Sequence, residues 1–299
     1  MKLGVIKKKT YFIYTLIVLA QLVVLLYWAN AKTNFFIDEL YSMGYASNFT
    51  GKGDTARYIT TGPEWKLNEW VNNAEYKKYL LVSDEEQLFR LPLHMAVKKM
   101  LTKTNYEGFL NIAESVTGYD VITARPGILL NILFFIVTEI LLIMLMQRLK
   151  MTTGLQYLAL AMFGFSSYVI SLVMYIRFYM LIVMYLLAML NLFYMVWNDE
   201  RLQRLLPMEI GILALAYLSY KNSELAVIYF GAISISFVIA LLLTKKWKQF
   251  ISYMAFGICG LIYIAVKTNY IDILLHPADY AVGNNVSVDI SLRISEALG

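Results

Sequence analysis

Charge and cysteine are scarce in this sequence. Charged residues make up 16% of its 299 positions, whereas an average soluble domain carries about 25%. A soluble fold of this length needs a polar exterior that the chain cannot supply, since 59% of its residues are hydrophobic and its mean hydropathy is +0.58. The single cysteine, Cys259, excludes an intrachain disulfide and a metal site built from several cysteines. The composition therefore predicts an integral membrane protein.

The sequence also has no nucleotide-binding motif. It contains no Walker loop, no Rossmann glycine pattern, no zinc signature and no nucleophile elbow. A reaction driven by ATP or by a nucleotide sugar therefore has no visible binding loop. The net charge of +5 could suit a nucleic acid, but the lysines and arginines bracket apolar runs and do not form one basic stripe. We therefore expect no nucleic-acid partner.

Apolar runs long enough to cross a bilayer predict an all-α polytopic membrane protein with about seven transmembrane helices. The runs cover residues 11–29, 127–146, 155–175, 178–197, 208–220, 225–243 and 250–266. The fifth run is short unless Leu205 and Leu206 extend it through Pro207. The third and fourth nearly adjoin, which predicts a tight hairpin.

Basic residues at the ends of these runs predict the orientation, because cytoplasmic loops are enriched in lysine and arginine. With seven spans, all four basic clusters fall on the same side as the N-terminus, which we therefore place in the cytoplasm, in the plasma membrane of a bacterium. The clusters are Lys2, Lys7, Lys8 and Lys9; Arg148 and Lys150; Arg201 and Arg204; and Lys245, Lys246 and Lys248. A cleaved signal peptide, ending at the small residues 29–31, is the alternative to an anchoring first span.

This topology divides the chain into four parts. Residues 1–29 form the basic N-terminus and first span, and residues 30–126 form a long, helical external loop. Residues 127–266 form six further spans, and residues 267–299 form an external tail that could begin a missing region. Within the loop, an apolar face predicts a helix after Pro92. That helix lies either in the membrane interface or against other loop residues.

The candidates for chemistry are polar residues just outside the spans. Asp38 and Glu39 follow the first span, where partial desolvation makes a carboxylate a better base. Arg177, at the outer hairpin between the third and fourth spans, has a planar fork that suits a phosphate. Lys221 adds a cation at another outer turn. Each of these residues also has a plainer interpretation. Asp38 and Glu39 could simply begin an exposed helix, where acids suit the first turn. Arg177 could snorkel to lipid head groups, and Lys221 could lie in a solvated turn.

A second set of candidates is less specific. Asp120 and Arg125 precede the second span and could act as a second acid and a second anion contact, or form a structural ion pair. His94 has no partner at metal-ligand spacing and is most simply a surface residue, while Tyr179 flanks Arg177 and could pack on a lipid or sugar. Glu139 is the clearest charge inside a span, where it predicts either a polar contact between helices or a proton site.

Four segments, taken in order, resemble polytopic glycosyltransferases of the GT-C superfamily, in the branch of protein O-mannosyltransferases and bacterial aminoarabinose transferases. The second segment is a degenerate counterpart of a proline-rich stretch in that branch, with one proline and no tyrosine. The segments are Asp38-Glu39-Leu40-Tyr41-Ser42, Arg90-Leu91-Pro92-Leu93-His94-Met95, Ala124-Arg125-Pro126 and Arg177-Phe178-Tyr179. Such enzymes usually run well beyond 299 residues, with further spans.

The resemblance implies transfer of a sugar from a polyprenyl-phosphate donor to a lipid, glycan or protein acceptor on the extracytoplasmic face. It implies that Asp38 deprotonates or orients the acceptor hydroxyl, with Glu39 in support. Arg177, with Lys221 and Arg125, would hold the donor phosphate. A divalent metal cation, held by Asp38 and Asp120, is a weaker implication.

Two other functions fit the same pattern. One is a lipid or polysaccharide transporter, flippase or polymerase, since such proteins also have many spans and external arginines. Transporters tend to place charges or broken helices near the bilayer midplane, and here the interiors of the spans are nearly uncharged, Glu139 being the clearest exception. The other is a non-catalytic assembly or receptor protein whose external loop binds a partner.

Overall fold

The computed structural model describes residues 2–50, 73–118, 120–223 and 225–267, and every regular element among them is helical. The predicted tail, residues 267–299, lies outside this part of the chain except for its first residue, Lys267. Two 3-10 turns, Asp84–Glu86 and Leu88–Arg90, separate the third and fourth helices. The helices are α1 Lys2–Ala31, α2 Ile37–Ser47, α3 Asn73–Leu80, α4 Leu93–Thr102, α5 Asn105–Thr117, α6 Arg125–Arg148, α7 Thr153–Gly164, α8 Ser167–Met174, α9 Tyr179–Asn198, α10 Leu202–Asn222, α11 Leu225–Leu243 and α12 Trp247–Lys267.

Five of these helices are long and apolar enough to cross a membrane, and a sixth span is possible if α7 and α8 are taken together. They lie in α1, α6, α9, α10 and α11. The fifth predicted run does extend through Pro207, because α10 begins at Leu202. The seventh run falls in α12, a helix of 21 residues. The described part of the chain is thus all-helical and membrane-type, with five or six candidate spans, and the prediction of seven is not confirmed.

The predicted third span is not one continuous helix, which corrects the reading of residues 155–175 as a single run. Helix α7 ends at Gly164 and α8 begins at Ser167, with a bend of 50° between them. The Ser166 hydroxyl accepts a hydrogen bond from Val169 N at 3.2 Å, which is the N-cap contact that starts a new helix. Hydropathy could not reveal this break, because apolar residues continue on both sides of it.

The spans pack around α9. It contacts α6 on one side and α10 on the other, and α11 and α12 pack beyond α10. Helix α1 lies against α6, α7 and α8. Near-continuous apolar sequence explains this packing, since α9 buries residues on several faces.

The bundle has two ends of different chemistry. At one end, which we call the basic end, the Arg148 guanidinium donates to Asn191 O at 3.0 Å, and Lys246 Nζ donates to Trp197 O at 2.7 Å. At the other end, which we call the site end, α1 finishes, α8 turns into α9 and α10 finishes. The segment between the first and second spans, residues 32–124, is largely helical where it is described and packs at the site end through α2 and α5.

The helix predicted after Pro92 is present as α4, and its apolar face is divided. Ala96 and Met100 pack against Phe49 and the 3-10 segment. Leu93 remains 80% exposed. Both interpretations of this helix therefore keep some support, because part of the face is covered and part is open.

Candidate functional site

Glu39 ties three elements together at the site end. It is fully buried in the first turn of α2. Its carboxylate accepts hydrogen bonds from Lys32 Nζ at 2.9 Å, from Phe36 N at 2.8 Å and from Ile176 N at 2.8 Å. These donors come from the end of α1, the start of α2 and the turn between α8 and α9. Glu39 therefore fixes the position of that turn against α2.

Asp38, the neighbouring acid, is only half-buried and has a different environment. Its Oδ2 accepts a hydrogen bond from the Tyr175 hydroxyl at 2.9 Å. Within the described part of the chain, Oδ1 accepts none. Burial, together with the hydrogen bond to Asp38, raises the pKa of Tyr175 to about 12. The tyrosine therefore stays protonated and orients the carboxylate as a neutral donor, leaving Oδ1 free for another partner.

Arg177 lies directly beside Asp38. Its Nη1 is 3.3 Å from the peptide oxygen of Asp38 and 3.3 Å from Ser42 Oγ, and the guanidinium lies over the Phe178 ring at 5.1 Å. Among the described residues it forms no ion pair, and its buried Nε has no hydrogen-bond partner. The guanidinium is thus positioned by neutral groups, which leaves its charge free to meet an anion.

Helix α6 holds the turn that carries Arg177. Asn131 Nδ2 donates to Tyr175 O at 2.8 Å and to Val173 O at 3.1 Å. Gly127 allows the two elements to approach closely, because a Cβ at this position would overlap the side chain of Ile176. The two predicted motifs, separated by 137 residues between Asp38 and Tyr175, are therefore brought together by α6 and by Glu39.

Aromatic side chains surround this carboxylate. The Tyr175 ring stacks on Tyr179 at 5.8 Å and meets the edge of Phe36 at 5.5 Å. Phe36 is 65% exposed and Tyr179 is 38% exposed. This surface could pack on a sugar ring or a lipid chain, as predicted for Tyr179.

Lys221 lies in a separate cavity. A volume of about 320 Å³ is lined by Tyr45, Phe49, Lys103, Thr104 and Lys221. Burial, and then the nearby Lys99, lowers the pKa of Lys103, which donates to Phe49 O at 2.7 Å. The structure shows no contact between Lys221 and Arg177. The cavity nevertheless lies along the face of α2 that carries Asp38 and Ser42, and Tyr45 is about 10 Å further along that helix.

The remaining predicted residues lie away from Asp38. Asp120 is exposed and lines a second cavity, described below. Arg125 is exposed at the start of α6, and its side chain makes no hydrogen bond or ion pair within the described ranges, so the predicted Asp120–Arg125 pair is absent. His94 is exposed on α4, as expected of a surface residue.

The described residues around Asp38 do not form a cluster of ligands for a divalent cation. The described chain contains no group of three or more His, Cys, Asp or Glu side chains that could hold a metal ion. The Glu39 carboxylate already accepts from Lys32 and two peptide N–H groups. Hard divalent cations need several oxygen ligands, so the suggested metal role of Asp38 and Asp120 gains no support from this geometry.

Some residues at the site were not predicted. Ser42 follows Asp38 by four positions and so shares its helix face, a signal that the spacing contained. Glu107 accepts a hydrogen bond from Ser42 at 3.2 Å, and Asn111 donates to Ala46 O at 2.8 Å. Glu107 and Asn111 are four residues apart, so they lie on the same face of α5, and this polar face contacts α2. Lys32 had no such signal, because its partnership with Glu39 depends on how the chain turns after α1.

Comparisons of the chain with protein-family models, with curated proteins and with solved structures find no match.

Proposed function

We propose that this chain is a membrane glycosyltransferase that transfers a sugar from a polyprenyl-phosphate donor to an acceptor hydroxyl on a lipid, glycan or protein. The observation that carries the proposal is the pairing of Asp38, which has one carboxylate oxygen free, with an unneutralised Arg177 at the end of an apolar bundle. A base and an anion-binding group at this position match what such a transfer needs. A lipid-linked donor also explains why the chain needs no nucleotide-binding loop.

The proposed reaction is a single displacement. Asp38 Oδ1 takes the proton of the acceptor hydroxyl, whose oxygen then attacks the anomeric carbon of the donor. The bond between that carbon and the phosphate oxygen breaks, and its electron pair leaves on the phosphate. Arg177 stabilises this developing negative charge. The proton on Asp38 passes to solvent, and the sugar is transferred with inversion.

The donor would lie along α2. Its phosphate is expected near Arg177, and the cavity containing Lys103 and Lys221 offers a second cationic region about 10 Å further along the helix. The exposed aromatic rings of Phe36 and Tyr179 would contact the sugar or the first prenyl units. Because Arg148 and Lys246 lie at the opposite end of the bundle, the positive-inside rule favours an extracytoplasmic site end and a cytoplasmic N-terminus.

Asp38→Asn tests the role of the base. The full chain, reconstituted in proteoliposomes, is given a panel of polyprenyl-phosphate hexoses and pentoses with membrane lipid acceptors, and released polyprenyl phosphate is measured by mass spectrometry. We expect transfer to fall by about 10²-fold or more, the usual contribution of a general base. Glu85→Gln is the control, because Glu85 is an exposed acid of the same segment. Wild-type transfer by Asp38→Asn, with normal insertion, contradicts the assignment.

A second candidate function, transport of a lipid or polysaccharide, is favoured by the broken span. Glu139 on α6 is completely buried and neither of its carboxylate oxygens has a hydrogen-bond partner among the described residues. It packs at the break between α7 and α8, since a Cβ at Gly164 would overlap both Glu139 and Gln21. Transporters use such broken helices and buried acids as ion and substrate sites.

Flux measurements separate the two functions. Proteoliposomes with a fluorescent polyprenyl-phosphate lipid report flipping through its accessibility to an external quencher. Transport predicts that Glu139→Gln abolishes flipping while Asp38→Asn preserves it. Glu209→Gln is the matched control, because Glu209 is also a buried acid within a span but accepts a hydrogen bond from Ser252 at 2.8 Å. Absence of flipping by the wild-type protein contradicts this second function.

A further inference from the structure

A second cavity, on the other side of α2, presents an unusual lining. Its volume is about 400 Å³, within the range of about 300–1,000 Å³ that small-molecule sites occupy. Three of its lining residues are acids, Asp84, Glu114 and Asp120, and none of the described lining residues is Lys, Arg or His. Asp84 is ion-paired with Arg90 at 3.0 Å, so Glu114 and Asp120 carry the uncompensated negative charge. Asp120 and Asp84 are exposed and mark the mouth, while Glu114 and Gln87 are buried.

The two buried residues present hydrogen-bond acceptors that nothing in the described chain satisfies. Glu114 is 8% exposed, and neither of its carboxylate oxygens has a partner. Gln87 is 9% exposed and its Oε1 is also without a partner. The amide orientation is fixed, because Gln87 Nε2 donates to Asp84 Oδ1 at 3.0 Å. Unpaired buried acceptors are costly and rare in folded proteins.

The backbone adds to the negative character of this cavity. Glu114, Ser115 and Gly118 belong to the last turn of α5 and its C-cap. A helix C-terminus carries partial negative charge and favours cations. Side chain and backbone therefore both favour positive charge in this cavity.

We propose that this cavity binds an organic molecule through a primary ammonium group, which donates to Glu114 and to Gln87 Oε1. The hydroxyls of Ser115 and Thr123, which also line the cavity, would hydrogen-bond neutral parts of the same ligand. Both residues line the cavity while their unpaired oxygens are shielded from solvent, so the proposed binding includes a rotation of the Glu114 side chain towards the ligand. A phosphate or carboxylate ligand would meet the Glu114 carboxylate and no cationic side chain among the described lining residues, and a divalent cation lacks the clustered ligands that it needs.

This site is independent of the transfer proposed above, because Asp38, Tyr175 and Arg177 do not line it. Helix α2 lies between the two sites: Met43 faces the acidic cavity, and Asp38, Ser42 and Tyr45 share the opposite stripe. Failure of sugar transfer therefore leaves the ammonium site standing, and failure of ammonium binding leaves the transfer standing.

Binding of a matched pair of sugars tests the proposal. The purified full chain in detergent is titrated with glucosamine and with glucose, which differ at one position by an ammonium group in place of a hydroxyl, and affinities are measured by calorimetry. We expect glucosamine to bind at least about tenfold more tightly, the difference of one charge-assisted hydrogen bond. Glu114→Gln should lose this preference, whereas Glu85→Gln, an exposed acid outside the cavity, should retain it. The protein's intrinsic fluorescence on heating confirms that each variant is folded.

A membrane source of the ammonium group is distinguished in bicelles. If added phosphatidylethanolamine competes with glucosamine, the natural ligand is a lipid head group, and if it does not, the ligand is soluble. Equal affinity for glucose and glucosamine overturns the proposal, as does tighter binding of Mg²⁺ or Ca²⁺ than of the amine. Glucosamine affinity that is unchanged in Glu114→Gln overturns it as well.

Discussion

Replacing Glu39 by Gln should destabilise the protein far more than replacing the adjacent Asp38 by Asn. Glu39 is fully buried, and the Lys32 side chain that it pairs with is only 11% exposed. The amide keeps the size of the side chain but removes the charge and one of the two acceptor oxygens. Lys32 is then left as an unpaired, mostly buried cation at the junction of α1 and α2.

Two contributions determine how much Glu39→Gln should lower the free energy of unfolding. Removing one partner of a buried ion pair costs about 3–5 kcal/mol. The two peptide donors, Phe36 N and Ile176 N, each 2.8 Å from the carboxylate, must share one oxygen, and an orphaned N–H costs about 1–3 kcal/mol. We expect a total loss of about 4–8 kcal/mol in the free energy of unfolding. Asp38→Asn changes one half-exposed contact and should cost no more than about 1 kcal/mol.

Reversible unfolding by SDS in mixed micelles, followed through the fluorescence of the five tryptophans, measures these values. A double-mutant cycle adds Lys32→Met, which removes the unpaired cation. We expect the combination with Glu39→Gln to recover about 2 kcal/mol relative to the sum of the single changes. Equal destabilisation by Glu39→Gln and Asp38→Asn, or no coupling to Lys32, would refute the view that Glu39 holds the site together.

Three further predictions follow from single contacts. Gly127→Ala should lower sugar transfer, because the added Cβ displaces Ile176 and the turn that it belongs to. Gly154→Ala is the control: nothing lies within 4 Å of its added Cβ, so it should leave transfer intact and stabilise α7 by about 0.5–1 kcal/mol. Transfer assays and thermal unfolding compare the two variants. Tyr175→Phe should reduce the turnover rate about tenfold with little change in KM, through loss of one charge-assisted hydrogen bond. Burial raises the pKa of Glu114 well above its usual range in the folded protein. The folded protein therefore has its full stability at a pH below the pKa of Glu114 in the unfolded chain, and it loses stability as the pH rises through the pKa of Glu114 in the folded protein. Thermal unfolding should show Glu114→Gln to be more stable than the wild type at pH 8 but not at pH 4.

Much of the fold could be predicted from hydropathy because lipid imposes a simple rule. Every backbone polar group must be satisfied within the bilayer, so a long apolar run can only become a helix. That rule located α1, α6, α9, α10 and α11. It failed at α7 and α8, because the break depends on one local hydrogen bond to Ser166 and not on polarity.

The candidate site was predictable only in part. Asp38 and Arg177 could be selected because each is an isolated polar group next to an apolar span. Their different neighbours could not be foreseen, since the carboxylates of Asp38 and Glu39 are chemically alike and adjacent in sequence. Which of them becomes the buried anchor depends on the direction in which each projects from α2. In the structure, Glu39 faces Lys32 and Ile176.

The sequence by itself determined that this is a membrane-type protein, that it is helical, and which segments are able to span a membrane. These properties follow from the composition and from the length of each apolar run, which do not depend on contacts between distant residues. Tertiary structure alone decided that Asp38, Tyr175 and Arg177 meet, and that Glu114 and Gln87 line one cavity. These arrangements require contacts between residues far apart in the chain. Such contacts are set by the packing of α2 against α5 and of α6 against the turn before α9, which no pattern along the sequence encodes.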